Sequence, residues 1–600
     1  MKIARAIIKN FRGIREGTLF FGDKAVLVGD NNTGKSTVLN AIDLVLGPER
    51  LQKFPVVNEH DFYGGQYLTA EDHEVEIFVE LVITNLSAEQ QRYFGAHIEW
   101  WNTQTLSFIN PSVPENTDIQ GVSPAIRVFF SGKYDQEEDN FVGGTYYSSP
   151  KTENNEFQKF KTVDKRLCGF LFLRTLRTGS RALSLERGSL LDIILRLKEK
   201  RLTMWEDVLE QLRSLPVAEN EELGVNEVLE SVQVAVKELV PSDWVENPKL
   251  KFSDLTREHL RKILTLFIET GSEGKDGTPH AAPYYYQGTG TANMLVLALL
   301  SQIAELKQNV IFAMEEPEIA IAPHTQKQVV KKIWAQSSQS IFTSHSPYIL
   351  EEFDPAGIIV LHNDHGVLTG SAATLPPDIK LKRYRREFRK SFCEALLAKR
   401  VFLTEGKTEF DVYTSVSHSL AEKFPEHFKS FESLGVATID AGTDSQIFNL
   451  ASYFKSLGKE VFAAFDKQDS SMSAAIAGLG ISHFELPEKG IEAAIITNTE
   501  EVELRNYIGQ VISQGRWDTN VATAPTEHTP SDEFKHALLK YLCKGKGDYY
   551  AADLLISITP AKIPQFVLQV ICGIQAALAP QAPTPPASED CDESQACSDL

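Results

Sequence analysis

A chain of 600 residues is too long for a single hydrophobic core, so two to four domains are expected. Hydrophobic residues at 42% and charged residues at 24% are the proportions of a soluble globular protein, and no apolar run reaches the ~18 residues that a membrane-spanning helix needs. A formal net charge of −21 argues against a surface that coats DNA uniformly and suits a protein that gathers carboxylates for metal binding. The opening Met1-Lys2-Ile3-Ala4-Arg5 is charged and strand-like, without the apolar core of a signal peptide. Six cysteines are scattered with no C-x-x-C pair, which points to reduced thiols in a cytoplasmic protein rather than a disulfide frame or a zinc site.

Residues 1–30 read as strands, the last being the apolar run Ala25-Val26-Leu27-Val28. Directly after it stands Gly29-Asp30-Asn31-Asn32-Thr33-Gly34-Lys35-Ser36, and Thr37 then opens an apolar helix. Strand, glycine loop and helix with the spacing G-x-x-x-x-G-K-[ST] form a phosphate-binding loop. The two glycines let the amides of Asn31, Asn32 and Thr33 turn inward around a polyphosphate. Lys35 reaches the outer phosphates, Ser36 offers a hydroxyl to Mg²⁺, and the helix points its positive end at the same anion. The preceding Asn10-Phe11-Arg12-Gly13-Ile14 resembles the opening of ATPases of the SMC and ABC type.

Residues 74–82 alternate at period 2, which predicts a half-solvated strand, and residues 101–160 are weakly patterned and read as hairpins and loops. Asp61-Phe62 falls on a loop and has no assignable role. Arg174, Arg177 and Arg181 are a candidate phosphate or DNA contact; a solvated basic loop has the same composition. From Leu183 to about Phe267, apolar residues recur at helical spacing, as in Leu190-Leu191-Ile193-Ile194-Leu197. A helical insertion that mediates dimerisation would have this pattern, and so would plain core helices.

Gly288-Thr289-Gly290 then opens another apolar helix, an anion site of the kind formed by the ABC signature loop, which caps the γ-phosphate of the opposite subunit. Val310 to Met314 is a buried strand ending in Glu315-Glu316-Pro317-Glu318. Glu315 is the candidate Mg²⁺ ligand through water, and Glu316 the candidate for orienting the attacking water. The next strand ends in Ser344-His345-Ser346, so His345 can sense the γ-phosphate. Phosphate loop, signature-like loop, E-E-P-E strand and S-H-S strand follow the order of ABC-type ATPases. Glu315 stands where most phosphate-loop ATPases have Asp, a departure that points to slow or regulatory hydrolysis. Residues 376–395 hold seven Lys and Arg between Lys380 and Lys390, a nucleic-acid phosphate track or a solvated helix face.

Beyond this linker, a strand ends in Glu405-Gly406-Lys407-Thr408-Glu409, and Val461–Phe465 ends in Asp466-Lys467-Gln468-Asp469. Carboxylates delivered by two strands to one sheet edge are hard oxygen ligands for Mg²⁺ or Mn²⁺. These strand ends resemble a Toprim domain, and an ABC-type ATPase followed by Toprim resembles the OLD (overcoming lysogenisation defect) nucleases, the group that includes the nuclease of Gabija anti-phage defence. The resemblance covers roughly residues 1 to 570. It implies an α/β chain with an ABC/SMC-type P-loop ATPase (1–182 and 271–375) interrupted by the helical insertion (183–270). The basic linker (376–395), a Rossmann-like Toprim nuclease domain (396–578) and a disordered tail (579–600) would follow.

In that family Toprim cuts DNA with two metal ions. By resemblance, Glu405 and Glu409 carry one metal, Asp466 is shared or binds the other, and Glu492 completes the second site. The usual second acid of the D-x-D pair is Gln468 here, which leaves Asp469 as the ligand at that point. Lys546, with Lys544 beside it, would set a cation near the scissile phosphate. ATP in the first domain would gate cutting in the second. Double-stranded DNA would be the substrate, a homodimer or homotetramer the assembly, and a UvrD-like helicase a partner. The alternative is a DNA-binding ATPase of the SMC or recombination-mediator type with a non-catalytic Toprim. A topoisomerase or primase is the third reading, and the lack of a zinc-binding cysteine set counts against a primase.

Overall fold

A computed structural model describes residues 1–48, 55–69, 71, 73–109, 121–173, 183–186, 189–214, 225–238, 256–273, 277–306, 310–319, 321–375, 389–467, 470–544 and 549–578. Outside them lie the Arg174, Arg177 and Arg181 cluster, most of the basic linker, Asp469, Lys546 and the tail. The chain divides into two compact units, Met1–Leu375 and Pro376–Leu600. Among the described residues, no helix is long and apolar enough to cross a membrane.

The first unit is built on a 14-stranded mixed sheet. Its strands include β1 (Lys2–Phe11), β2 (Ile14–Phe20), β3 (Lys24–Val28), β4 (Ile77–Thr84), the long hairpin β5 (Val122–Asp135) and β6 (Asn140–Lys151), β7 (Phe170–Leu173), β8 (Val310–Glu315), β9 (Ser337–Thr343), β10 (Ile358–Asp364) and β11 (Val367–Ala372). The order runs β7-β8-β9-β3-β10-β11-β2-β1-β4-β5, and β7 through β10 are parallel throughout. β3, β7 and β8 are almost wholly apolar, as expected where helices cover both faces of a parallel sheet. Gln339 on β9 fastens the sheet where it curls back. Its amide accepts from Ile3 N at 2.7 Å and donates to Ile3 O at 2.8 Å and Gly22 O at 2.9 Å.

The alternation at 74–82 predicted a half-solvated strand, and here the structure differs. β4 lies between β1 and β5 and is buried on both faces. Glu80, which should have marked the wet face, is 8% exposed; it is paired with Arg5 at 2.9 Å and with Arg127 at 4.0 Å. A buried ion pair mimics the period of a solvated face.

Helix α1 (Lys35–Leu46) follows the glycine loop and packs into the main core. The 183–270 segment contains helices α2 (Leu190–Leu197), α3 (Arg201–Ser214), α4 (Val225–Lys237) and α5 (Arg257–Ile263). Trp205, Leu209 and Leu260 form a small core of their own there. Helix α6 (Thr289–Leu306) packs against α2 and against α7 (Pro323–Gln336).

The second unit begins its described part with α8 (Arg389–Leu397) and holds a parallel four-stranded sheet. This comprises β12 (Arg400–Thr404), β13 (Val436–Asp440), β14 (Glu460–Phe465) and β15 (Ser482–Glu485), in the order β13-β12-β14-β15. Helices α9 (Lys407–Lys423), α10 (Asp444–Ser456) and α11 (Ile491–Asn498) alternate with these strands, and four more helices between Glu501 and Ala577 complete the unit. Lys459 is buried at the base of β14 and donates to Leu396 O at 2.8 Å and Ala398 O at 2.6 Å, capping the carbonyl end of α8.

Candidate functional site

The phosphate loop sits where β3 runs between β9 and β10, and register brings three strand ends to one edge. Glu315 pairs with Thr343, and Thr343 with Leu27. Glu315-Glu316, Ser344-His345 and Gly29–Ser36 therefore share the carboxyl edge of a parallel sheet, the usual place for a ligand in such folds. At Gly29 (φ 153°) a Cβ would lie 2.8 Å from Leu361 O, so a side chain there would force the backbone apart; Gly34 (φ 99°) is held left-handed at the start of α1. Asn31, Asn32 and Thr33 form the rim, Asn32 at φ 67° and Thr33 Oγ1 donating to Asp30 O at 2.9 Å.

Lys35 is curled into the loop. Its ammonium donates to Gly29 O at 2.8 Å and Asp30 O at 2.7 Å. Burial lowers its pKa, while Asp30 and Glu316 act in the opposite sense. Next along the helix, Asn40 donates to Ser36 O at 2.7 Å and to Glu315 Oε1 at 3.3 Å. Asn40 thereby links the first turn of α1 to the carboxylate at the end of β8. Ser36 and Thr37 lie on the first turn of α1.

Glu316 adopts φ 46°, a left-handed conformation unusual for a glutamate, and its N–H donates to Thr343 O at 2.9 Å. The turn keeps Glu316 within electrostatic reach of both Lys35 and His345. His345 is held below its ordinary pKa, first by burial and then by Lys35, so the neutral imidazole is favoured. Sequence reasoning gave Glu318 no role. Its carboxylate accepts from Ser344 Oγ at 3.1 Å and from His345 N at 2.6 Å, fixing the histidine turn from the neighbouring strand. Asp61 gains a role as well. It accepts from Arg12 Nε at 2.9 Å, while Arg12 N donates to Asp61 O at 2.8 Å and Phe11 bridges Phe62. The Asn10–Ile14 turn is thereby fastened beside the phosphate loop, with Ile14 Cδ1 3.5 Å from the position a Cβ on Gly34 would take. Gly288 and Gly290 stand at the start of α6, as expected of a signature-like loop.

The second candidate site is acidic and is built from three separated segments. Thr404 is in register with Ala464 and with Asp440, so Glu405 and Asp466 leave neighbouring strands at the same edge. Glu405 Oε2 accepts from Asp466 N at 2.9 Å, and Asp466 Oδ2 accepts from Gly490 N at 2.8 Å. Glu492, two residues on in the first turn of α11, accepts at Oε1 from Thr408 Oγ1 at 3.0 Å. Thr408 stands between Glu405 and Glu409, and the ring closes there. Gly490 at φ 89° supplies an amide that a side chain would strain, and Gly406 leaves room for Glu409, since a Cβ there would lie 2.9 Å from Glu409 Oε2.

Glu409, Asp466 and Glu492 are all buried. The Glu409 carboxyl is pushed up to about 7, first by burial and then, against a backbone hydrogen bond, by the charges of Glu492, Asp466 and Glu405. The fully buried Tyr413 ring lies one turn further along α9, its hydroxyl pKa raised by burial and by Glu409 and Asp466. Four carboxylates within electrostatic range form a set of hard oxygen donors that fits Mg²⁺ or Mn²⁺. Among the described residues, no three acid, histidine or cysteine side chains converge on one point. Glu405 Oε2, Asp466 Oδ2 and Glu492 Oε1 meet amide or hydroxyl donors instead, which lowers the repulsion among them. Lys544 is engaged by Asp518 at the end of its helix. Asp469 and Lys546 lie outside the described residues.

A phosphate cradle on one sheet and a carboxylate cluster on another define a nucleotide-binding ATPase domain followed by a Toprim-type domain. Comparison with known families agrees. A profile described as "AAA ATPase domain" matches residues 1–350, and one described as "Overcoming lysogenization defect protein-like, TOPRIM domain" matches residues 396–467. The chain thus belongs to the AAA ATPase domain family and joins that domain to a Toprim domain of the OLD type. It is 22% identical over 446 residues to "Endonuclease GajA" of Bacillus cereus (strain VD045), covering 71% of this chain and 69% of that protein. It is 20% identical over 477 residues to "Old nuclease" of Escherichia phage P2, covering 76% of each. Among solved structures, the SMC head domain from Thermotoga maritima aligns with 62% of this chain and 100% of its own, at 12% identity and a TM-score of 0.29. A likeness that distant adds nothing to the topology described above.

Proposed function

We propose that the chain is an ATP-regulated, divalent-metal-dependent DNA endonuclease acting in anti-phage defence. The observation that carries this reading is the gathering of Glu405, Glu409, Asp466 and Glu492 within electrostatic range of one another, three of them joined by hydrogen bonds across separate segments. The names of the two relatives, an endonuclease and a nuclease, support it. Glu405 and Glu409 would hold one cation, Glu492 the other, and Asp466 would face both, with Asp469 as a further ligand. Bound there, the cations would activate a water for in-line attack and stabilise the departing 3′-oxygen. Lys546 would neutralise the charge that develops on the scissile phosphate.

In the first domain, Lys35 and the amides of the loop from Asn31 to Ser36 grip the phosphates of ATP. Ser36 and Glu315 hold its Mg²⁺, Glu316 orients water, and neutral His345 reads the γ-phosphate. Gly288 and Gly290 would complete the site across a subunit interface, which makes a homodimer or homotetramer the working assembly. Bound ATP restrains cutting, and its depletion releases it. A UvrD-like helicase is the expected partner and the cytoplasm the expected location.

The test is Glu405→Ala on plasmid DNA with Mg²⁺ or Mn²⁺. Cleavage should fall by at least ~100-fold, because even outer partners of a metal site are worth about 10–100-fold, and ATP binding should be unchanged. A variant that cuts like the parent protein ends the nuclease assignment. Cleavage that rises with added ATP would contradict the gating.

A further inference from the structure

We propose that Thr408 is a positioning residue for the second cation of the acidic pocket, acting through Glu492. The proposal rests on the reading of that pocket as a cation-dependent nuclease centre. Thr408 and Glu492 are 84 residues apart in sequence and both buried, at 7% and 3% exposure, yet Thr408 Oγ1 donates to Glu492 Oε1 at 3.0 Å. A buried carboxylate is stable only where donors or a cation meet its oxygens. The threonine meets one of them.

The other, Oε2, lies alongside Gly490, 3.9 Å from where its Cβ would stand, and the Gly490 amide is the one that binds Asp466 Oδ2. With Oε1 fixed from α9, Oε2 is kept beside Gly490, the residue whose amide binds Asp466, and a cation shared by the two acids would sit there. Helical geometry makes this economical. Adjacent residues diverge by about 100° around a helix, so Thr408 faces α11 while Glu409 turns to its own place in the cluster. One short stretch therefore supplies two carboxylates directly and aims a third. The hydroxyl is the feature that matters, because valine would fill the same space without donating.

Mn²⁺ binding to the full-length protein, followed by electron paramagnetic resonance of the free ion, tests this beside Mn²⁺-dependent DNA cleavage. The parent protein should take up two ions at the acidic pocket, identified as those lost when Glu405 and Asp466 are both replaced by alanine. Thr408→Val should weaken one of them by about 10–100-fold and leave the other unchanged. Its cleavage should need correspondingly more Mn²⁺ and recover at saturation, and Thr408→Ser should restore parental binding. Should valine disturb folding by circular dichroism, Thr408→Ala carries the same test. Two Mn²⁺ ions held as tightly by Thr408→Val as by the parent protein overturn the proposal. A parent protein that binds no Mn²⁺ at this pocket overturns the cation reading itself, and the proposal with it.

Discussion

The two pockets of this chain solve opposite electrostatic problems with different materials. The upstream pocket is for an anion and is made mostly of main chain: the glycine loop, the start of α1, and one lysine held by the carbonyls of Gly29 and Asp30. The downstream pocket is for cations and is made of side chains from the ends of β12 and β14 and the first turns of α9 and α11. A main-chain cradle is set by backbone dihedrals within eight residues and stands ready. A cluster of like charges is eased where amides and a hydroxyl from distant segments meet Glu405, Asp466 and Glu492. The first pocket should be broken by single local changes, and the second tuned by residues that touch no ligand.

Lys35→Ala gives the sharpest test of that contrast. Removing the single buried cation of the cradle should weaken ATP binding by ~100-fold, the order expected for one or two charge-assisted hydrogen bonds. Fluorescent-nucleotide titration measures it. DNA cleavage should then lose its response to ATP while Mn²⁺ uptake stays unchanged; loss of both ligands together would mean that the pockets are not separable.

Glu409→Gln probes the repulsion on the other side. The folded carboxyl titrates at about 7 against an ordinary 4.5, so between these values the native protein keeps a proton that the unfolded chain has released. In chelator, stability should therefore fall as pH rises from about 4.5 to about 7 and stay low above it, by at most ~3 kcal/mol. Glu409→Gln should remove that slope, melting like the parent protein near pH 4 and at higher temperature near pH 8. Equal melting curves for the two proteins at pH 8 would show that the four acids do not repel.

A smaller effect is expected of Gly406→Ala. Its backbone, at φ −145°, accepts alanine, and the new methyl group meets only the carboxylate end of the Glu409 side chain. Stability should change by less than ~1 kcal/mol while Mg²⁺-supported cleavage drops about tenfold, as expected when a metal-site carboxylate is displaced. A drop in melting temperature with normal cleavage would reverse the assignment of this glycine.

Legibility in the sequence followed the range of the contacts. The places of Gly29 through Ser36 in a strand, loop and helix were legible because that pattern is local, and those of Glu315, Glu316 and His345 because each follows a short buried strand. Asn40 was legible in principle, as a polar residue one turn beyond Ser36 and set among Val38, Leu39, Ala41 and Ile42. The roles of Glu318 and Asp61 were not, since their partners lie 27 and 49 residues away. Period-2 reading misjudged β4 because Glu80 is paired with arginines on neighbouring strands and has no water to face.

By itself, then, the sequence determined which residue types stand at strand ends and in what order, because short-range rules of glycine, strand and helix act within a single segment. It could not determine how those segments meet. Asp466 N on Glu405, Gly490 N on Asp466 and Thr408 on Glu492 span 61, 24 and 84 residues, and each depends on strand order and register in a parallel sheet. Only the tertiary structure decided which donors meet those acids, because the amides of Asp466 and Gly490 and the hydroxyl of Thr408 arrive from elsewhere in the fold.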